Sequence, residues 1–382
     1  MRTPLTRRLP EFPWDRLAAA AQTARSHPDG IVDLSIGTPV DPSPEVARTA
    51  LADAADNPGY PQTIGVPRLR EIMVEHLSTR WGARGLEQNA TLPVVGTKEL
   101  VASLPTQLGL GVGDRVVIPE LAYPTYDVGA RLARADVVAC DDPAELAEIS
   151  GTTLIWINSP SNPTGEITAP QRLREWVEYA RRTDSILVSD ECYLDFGWDS
   201  EPMSVLHPDI CGENHRGLIS VQSLSKRSNL AGYRAGYIAG DPELIAELTL
   251  VRKHAGLIMP GPVQHAMAAT LADDAHVQQQ RERYLARRAL LKPALQHAGF
   301  SVEHDQGSLY LWSSRTVTDD GVERPQRCDE MLDFLASLGI LVAPGDFYGP
   351  RGAHFVRVGL TGTDERIEAA AGRLSNLGGQ AQ

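Results

Sequence analysis

The chain has 382 residues, 42% of them hydrophobic and 22% charged; that is apolar material for a large core and two domains, and it excludes a disordered chain. A formal net charge of −13 repels polyanions, which argues against nucleic acid or an anionic membrane surface as a partner. Cys140, Cys192, Cys211 and Cys328 show no Cys-x-x-Cys spacing, so reduced thiols and no metal site are expected, in a cytoplasmic protein.

At the N-terminus, residues 1–14 carry arginines but no apolar stretch, so no secretory leader is expected, and no apolar run is long enough to span a membrane. Short apolar, β-branched runs then predict strands at 92–95, 116–118, 136–139, 153–157, 186–189, 218–221 and 236–239. Helical patterns separate most of them, at 98–108, 126–132 and 170–181. Strands alternating with helices argue for an α/β fold with a mainly parallel seven-stranded sheet covered on both faces. The last two runs have no obvious helix between them, so that pair is the place where parallel order can fail. Beyond Asp241 come long helical stretches at 241–256 and 275–299, the second highly charged and able to bridge two domains. Strands at 300–304, 308–313, 340–343 and 354–359, with a helix at 328–338, predict a smaller α+β unit. The expected division is a large domain over 45–275 and a small one built from 1–44 and 276–382.

Ligands of parallel sheets bind beyond the carboxyl ends of the strands. Five polar elements fall there: Gly96-Thr97-Lys98, Tyr123, Asn162, Asp190 and Lys226. Each also has an ordinary structural reading: Asp190 as a helix cap, Asn162 to Gly165 as a plain turn, Tyr123 as a half-buried aromatic, Lys226 as a surface charge. Lys226 lies in the run Ser223-Leu224-Ser225-Lys226, with Arg234 eight residues on. An amine, a hydroxyl and a permanent cation at that spacing suit pyridoxal phosphate, whose aldehyde condenses with a lysine and whose phosphate needs donors. Asp190 would keep the ring nitrogen protonated, while Tyr193 and Asn162 would donate to the ring oxygen. The helix start at Gly96-Thr97-Lys98, with Ser223 and Arg234, would hold the phosphate, and Tyr123 would stack on the ring. Arg357, in an apolar strand, needs an anion: either a substrate α-carboxylate or a buried Asp or Glu.

These motifs resemble the class I/II aminotransferases of pyridoxal-phosphate fold type I. The matching residues are Ser223-x-Ser225-Lys226 with Gly232-x-Arg234-x-Gly236, Asn162-Pro163-Thr164-Gly165, Asp190-x-x-Tyr193, Arg357, Gly37 and Tyr60, spread over about residues 33–359. The resemblance implies a homodimer in which Tyr60 reaches the neighbouring subunit's phosphate, and it adds Gly37 to the substrate site. Phe12-Pro13-Trp14, Glu120 to Asp127 and Pro344 to Gly349 are similar to the actinobacterial succinyldiaminopimelate aminotransferase group. That group implies N-succinyl-LL-2,6-diaminopimelate as substrate, glutamate and 2-oxoglutarate as the partner pair, and a place in lysine and diaminopimelate synthesis. In the register of the resemblance, Ala255 stands where aspartate-specific relatives carry a second arginine. A different amino-acid substrate, or carbon–sulfur β-lyase chemistry on the same cofactor, remains open at this point. A transcription regulator of this fold is disfavoured, because few residues precede Asp33.

Overall fold

A computed structural model describes residues 4–146, 152–319 and 321–377. In chain order the first strands are β1 (Val32–Asp33), β2 (Thr91–Val94), β3 (Arg115–Ile118), β4 (Asp136–Ala139), β5 (Thr152–Asn158), β6 (Ile186–Asp190), β7 (Leu218–Ser223) and β8 (Gly236–Gly240). β2 to β8 form a seven-stranded sheet in the order β2-β8-β7-β6-β5-β3-β4. The pairs from β7 through β6, β5 and β3 to β4 are parallel, whereas β8 runs antiparallel to both of its neighbours. Its reversal has a local cause. Between β7 and β8 stand only a one-turn helix, Leu224–Arg227, and a 3-10 turn, Ala231–Tyr233, and neither is the sheet-covering helix that a parallel crossover usually carries.

Strand alternation builds two cores. Leu154 and Trp156 of β5 and Val188 of β6 join Leu100, Val101 and Tyr126 on one face. Ile155, Ile157 and Leu187 point the other way, against Leu173, Trp176 and Val177. The helix Pro170–Thr183 supplies that second group through apolar residues spaced three and four apart, with Ala180 a turn further on. Buried Glu191 accepts from Ser204 (2.8 Å), the Val205 amide (2.7 Å), Ser220 (2.7 Å) and Gln222 (2.8 Å), which ties the chain after β6 to β7 and to the loop below.

The remaining strands are β9 (Phe300–Glu303), β10 (Tyr310–Asp319), β11 (Val322–Pro325), β12 (Ile340–Leu341), β13 (Ala343–Pro344) and β14 (Val356–Gly359). β10 is longer than its sequence pattern, because its far half folds back in a hairpin with β11. The expected strand over 340–343 is two short pieces: β12 pairs with β1 and β13 with β14. A third apolar core, including Leu34, Trp312, Leu335 and Val358, lies under this second group of strands. The helix Ala275–His297 contributes Tyr284, Leu291 and Leu295 to it. Near its start, Gln280 accepts from Asn229 (2.9 Å) and Arg281 donates to the Asp195 carbonyl (2.9 Å), so the helix joins both groups of strands.

Candidate active site

A cavity of about 400 Å³ opens at the carboxyl ends of β5, β6 and β7 and reaches β10 and β14. Lys226, Asp190, Tyr193, Asn162, Ser223 and Arg234 line it, as do Thr97, Lys98, Tyr123, Gly37 and Arg357. Every candidate from the sequence is therefore brought to one place except Gly96, which adjoins the lining residue Thr97, and Tyr60, which is fully exposed and does not line the cavity.

Half-buried Lys226 stands on the first turn after β7, and its ammonium donates to the Gly37 carbonyl. Burial lowers its pKa, and the Arg357 and Arg234 charges act in the same direction. Ser223 ends β7 and accepts from the Ser225 amide (3.2 Å). Asp190, the last residue of β6, is buried; its carboxylate accepts from the Tyr126 hydroxyl (2.7 Å) and the Cys192 amide (3.2 Å). Burial pushes its pKa up despite those bonds, and among the described residues no cationic side chain pairs with it.

The helix Thr97–Gln107 starts at Gly96 with φ +83° and no side-chain cap, which leaves its first-turn amides facing the cavity mouth without a side-chain acceptor. A Cβ at Gly96 would come within 2.2 Å of the Arg234 guanidinium, so only glycine lets that cation lie against the helix start. Lys98 points its ammonium over the Phe12 ring, 5.7 Å from the centroid. Tyr123 packs edge-on to Tyr126 at 5.8 Å, and burial pushes its pKa up to about 12.

Asn162 is held by Asn158, whose side chain accepts from the Asn162 amide (2.7 Å) and donates to the Asp190 carbonyl (2.9 Å). The Asn162 side-chain oxygen accepts from Arg357 (2.8 Å). Arg357, only 2% exposed, also donates to the Ser35 carbonyl (2.7 Å), lies 3.9 Å over the Tyr310 ring, and leaves its Nε without an acceptor. Among the described residues no Asp or Glu pairs with it, so a structural salt bridge is not its role.

Sequence reasoning passed over four groups here. Asn158 and Tyr126 support Asp190 and Asn162; Asn158 ends a strand beside Asp190, which was signal enough. Phe12 lines the mouth from the N-terminal segment. Tyr310 comes from β10, in the far core, and nothing local marks it.

The donor set fits pyridoxal phosphate. A half-buried amine, a buried acid without a cation, and an uncapped helix start beside a serine and an arginine match its aldehyde, ring nitrogen and phosphate in turn. The family model "Aminotransferase class I and II" matches residues 29–374. A probable aminotransferase of Mycobacterium tuberculosis is 57% identical over 96% of this chain and 85% of that protein. The 4-dedimethylamino-4-oxo-anhydrotetracycline transaminase of Streptomyces rimosus is 53% identical over 97% of this chain and 100% of that protein. A solved structure of a probable N-succinyldiaminopimelate aminotransferase from Thermus thermophilus superposes with a TM-score of 0.83 at 28% identity, covering 96% of this chain and 100% of the other. The chain belongs to the class I and II aminotransferases, pyridoxal-phosphate-dependent enzymes of fold type I.

Proposed function

We propose that this aminotransferase exchanges the amino group of N-succinyl-LL-2,6-diaminopimelate with 2-oxoglutarate, in lysine and diaminopimelate synthesis, as a cytoplasmic homodimer. The observation that carries the amino-acid reading is Arg357: a buried guanidinium that lines the cavity with Lys226 and has no carboxylate partner among the described residues. A substrate α-carboxylate supplies the missing anion. The long substrate is favoured over aspartate by the segment around Ala255, where the resemblance places the second arginine of aspartate-specific relatives. Arg252 is fully buried against Glu99 (2.8 Å), and Ala255 is exposed. A short side-chain carboxylate finds no guanidinium there.

Pyridoxal phosphate, when bound, supplies the electron sink that makes the substrate α-proton removable. Lys226 would anchor it, then take that proton at Nζ and give it up to the cofactor's aldehyde carbon, not back to the substrate α-carbon. Its lowered pKa favours the neutral amine such a base requires. Asp190, ionised beside a cationic ring nitrogen, holds that nitrogen's proton in place. Tyr193 and Asn162 would donate to the ring oxygen, Tyr123 would cover the ring face, and Gly96, Thr97, Lys98, Ser223 and Arg234 would form the phosphate cup. Gly37 leaves room at the substrate and offers Lys226 its carbonyl. Tyr60, exposed on this subunit, serves the partner's site. The domain division at 44/45 and 275/276 belongs to the same proposal; two apolar cores lie wholly within 45–275, and the third takes its buried residues from the other segments apart from Tyr193 and Phe196, which supports it.

A second reading is favoured by the 53% identity to the Streptomyces rimosus transaminase: a bulky cyclic ketone as amino acceptor. Specificity constants for N-succinyl-diaminopimelate, aspartate and a polycyclic ketone, each with the glutamate pair, decide the matter. A value for aspartate above that for the succinylated substrate overturns the first reading. A ketone preferred to both establishes the second.

A further inference from the structure

Tyr310 begins β10 and pairs across the sheet with Gly359, two residues beyond Arg357. It is 3% exposed and lines the cavity together with Lys226. Its hydroxyl stands 2.9 Å from the Tyr193 hydroxyl. Its ring lies under the Arg357 guanidinium at 3.9 Å. The Gly37 backbone sits so close that a Cβ there would fall 1.9 Å from the Tyr310 oxygen, and the Gly37 carbonyl takes the Lys226 ammonium. The phenol is thus wedged among the three groups that would meet lysine, ring oxygen and carboxylate.

We propose that Tyr310 is a positioning residue whose phenol donates to the Tyr193 hydroxyl and thereby turns the Tyr193 proton into the cavity. The proposal rests on the placement of Tyr193 at the cofactor's ring oxygen given above. The direction of the bond follows from the charges around the pair. The titratable groups acting on Tyr310 are Arg357, Lys226, Tyr193 and Cys192, with Tyr348, Tyr123 and Tyr284 feeling it in turn. Arg357 is the permanent cation among them; Lys226 is one only while it is protonated. The Arg357 guanidinium lies 3.9 Å over the Tyr310 ring; burial alone would raise the Tyr310 pKa, but Arg357, with Lys226 and the bond to Tyr193, outweighs it and holds the phenol down, whereas burial and Tyr310 itself push Tyr193 well up against the pull of Arg357. The more acidic phenol is the better donor. A hydroxyl that accepts one bond is polarised to give a stronger second one. Tyr193 then has its own proton free, and the occupied side of its oxygen leaves the cavity as the place to point it. A neutral phenol without this partner would be free to rotate.

The test is a pH titration of the visible absorbance of the holoenzyme without substrate, for wild type, Tyr310→Phe, Tyr193→Phe and the double variant. Tyr310→Phe keeps the ring beneath Arg357, and an unchanged melting temperature with full cofactor occupancy shows the fold intact. A donor aimed at the ring oxygen stabilises the more anionic, deprotonated form, so its loss raises the midpoint. Tyr310→Phe is expected to raise it by about half to one pH unit, the loss of one neutral hydrogen bond, and to add nothing on top of Tyr193→Phe. A midpoint unmoved by Tyr310→Phe while Tyr193→Phe moves it, or shifts that add in the double variant, overturns the relay alone. A midpoint unmoved by Tyr193→Phe overturns the placement of Tyr193, and the relay with it.

Discussion

Replacing Arg357 by methionine separates binding from folding more sharply than any other change in the site. The guanidinium makes two hydrogen bonds to protein, to Asn162 (2.8 Å) and the Ser35 carbonyl (2.7 Å), and no ion pair among the described residues. Methionine removes both bonds and strands two acceptors, at about 1–3 kcal/mol each. It also removes a buried cation without a counter-charge, whose desolvation costs several kcal/mol. The two effects oppose each other, and unfolding stability is expected to stay within about 2 kcal/mol of wild type. The catalytic effect has no such compensation. A carboxylate gripped by two charge-assisted bonds, each about 1.5–3 kcal/mol, is lost from the transition state. At about 1.4 kcal/mol per tenfold, kcat/KM falls about 10²- to 10⁴-fold. Urea unfolding of the holoenzyme and steady-state rates with glutamate measure the two. A loss of activity under tenfold, or a loss of stability above about 4 kcal/mol, would refute the argument; the second result is the signature of a broken structural ion pair.

Lys226→Ala is expected to abolish turnover, and peptide mapping after borohydride treatment should find no fixed cofactor in the variant; reduced cofactor on another lysine of the wild type sinks the assignment. Mixing Lys226→Ala with Tyr60→Ala subunits should restore part of the activity, because one site of each mixed dimer is intact, and no recovery after verified subunit exchange counts against a shared site. Asp195 gives a pH effect of definite sign. Burial would raise its pKa, but Arg227 (2.9 Å) and Arg80 (3.0 Å) outweigh it and hold it below the usual carboxylate value. The stability it contributes is therefore fully present above its unfolded pKa of about 4 and is lost as pH falls through the lower folded value. Wild type should lose more stability than Asp195→Asn on acidification below about pH 4, and parallel profiles would show that the pair contributes nothing.

The cavity's framework was legible in the sequence because its parts are local. Asp190 and Lys226 each follow a β-branched run, and the end of a parallel strand is where a ligand side chain belongs. Gly96-Thr97-Lys98 could be placed at a helix start, since helical periodicity begins with it. The positions of β2 to β8 followed from short apolar, β-branched runs, and in the structure strand alternation sends Ile155 and Leu187 to the opposite face from Trp156 and Val188. What local pattern carries no trace of is who meets whom across the molecule. That β8 reverses goes with the lack of a full helix between it and β7. That Arg357 finds Asn162 and Ser35 in place of a carboxylate depends on contacts 195 and 322 residues apart in sequence. Tyr310 joins the site only because β10 and β14 pair so that its ring lies beneath Arg357, while Gly37 has no side chain to keep its hydroxyl away. Strand-end chemistry is written along the chain; the company each group keeps, and with it each group's charge state and direction, is decided by packing between segments that the sequence holds far apart.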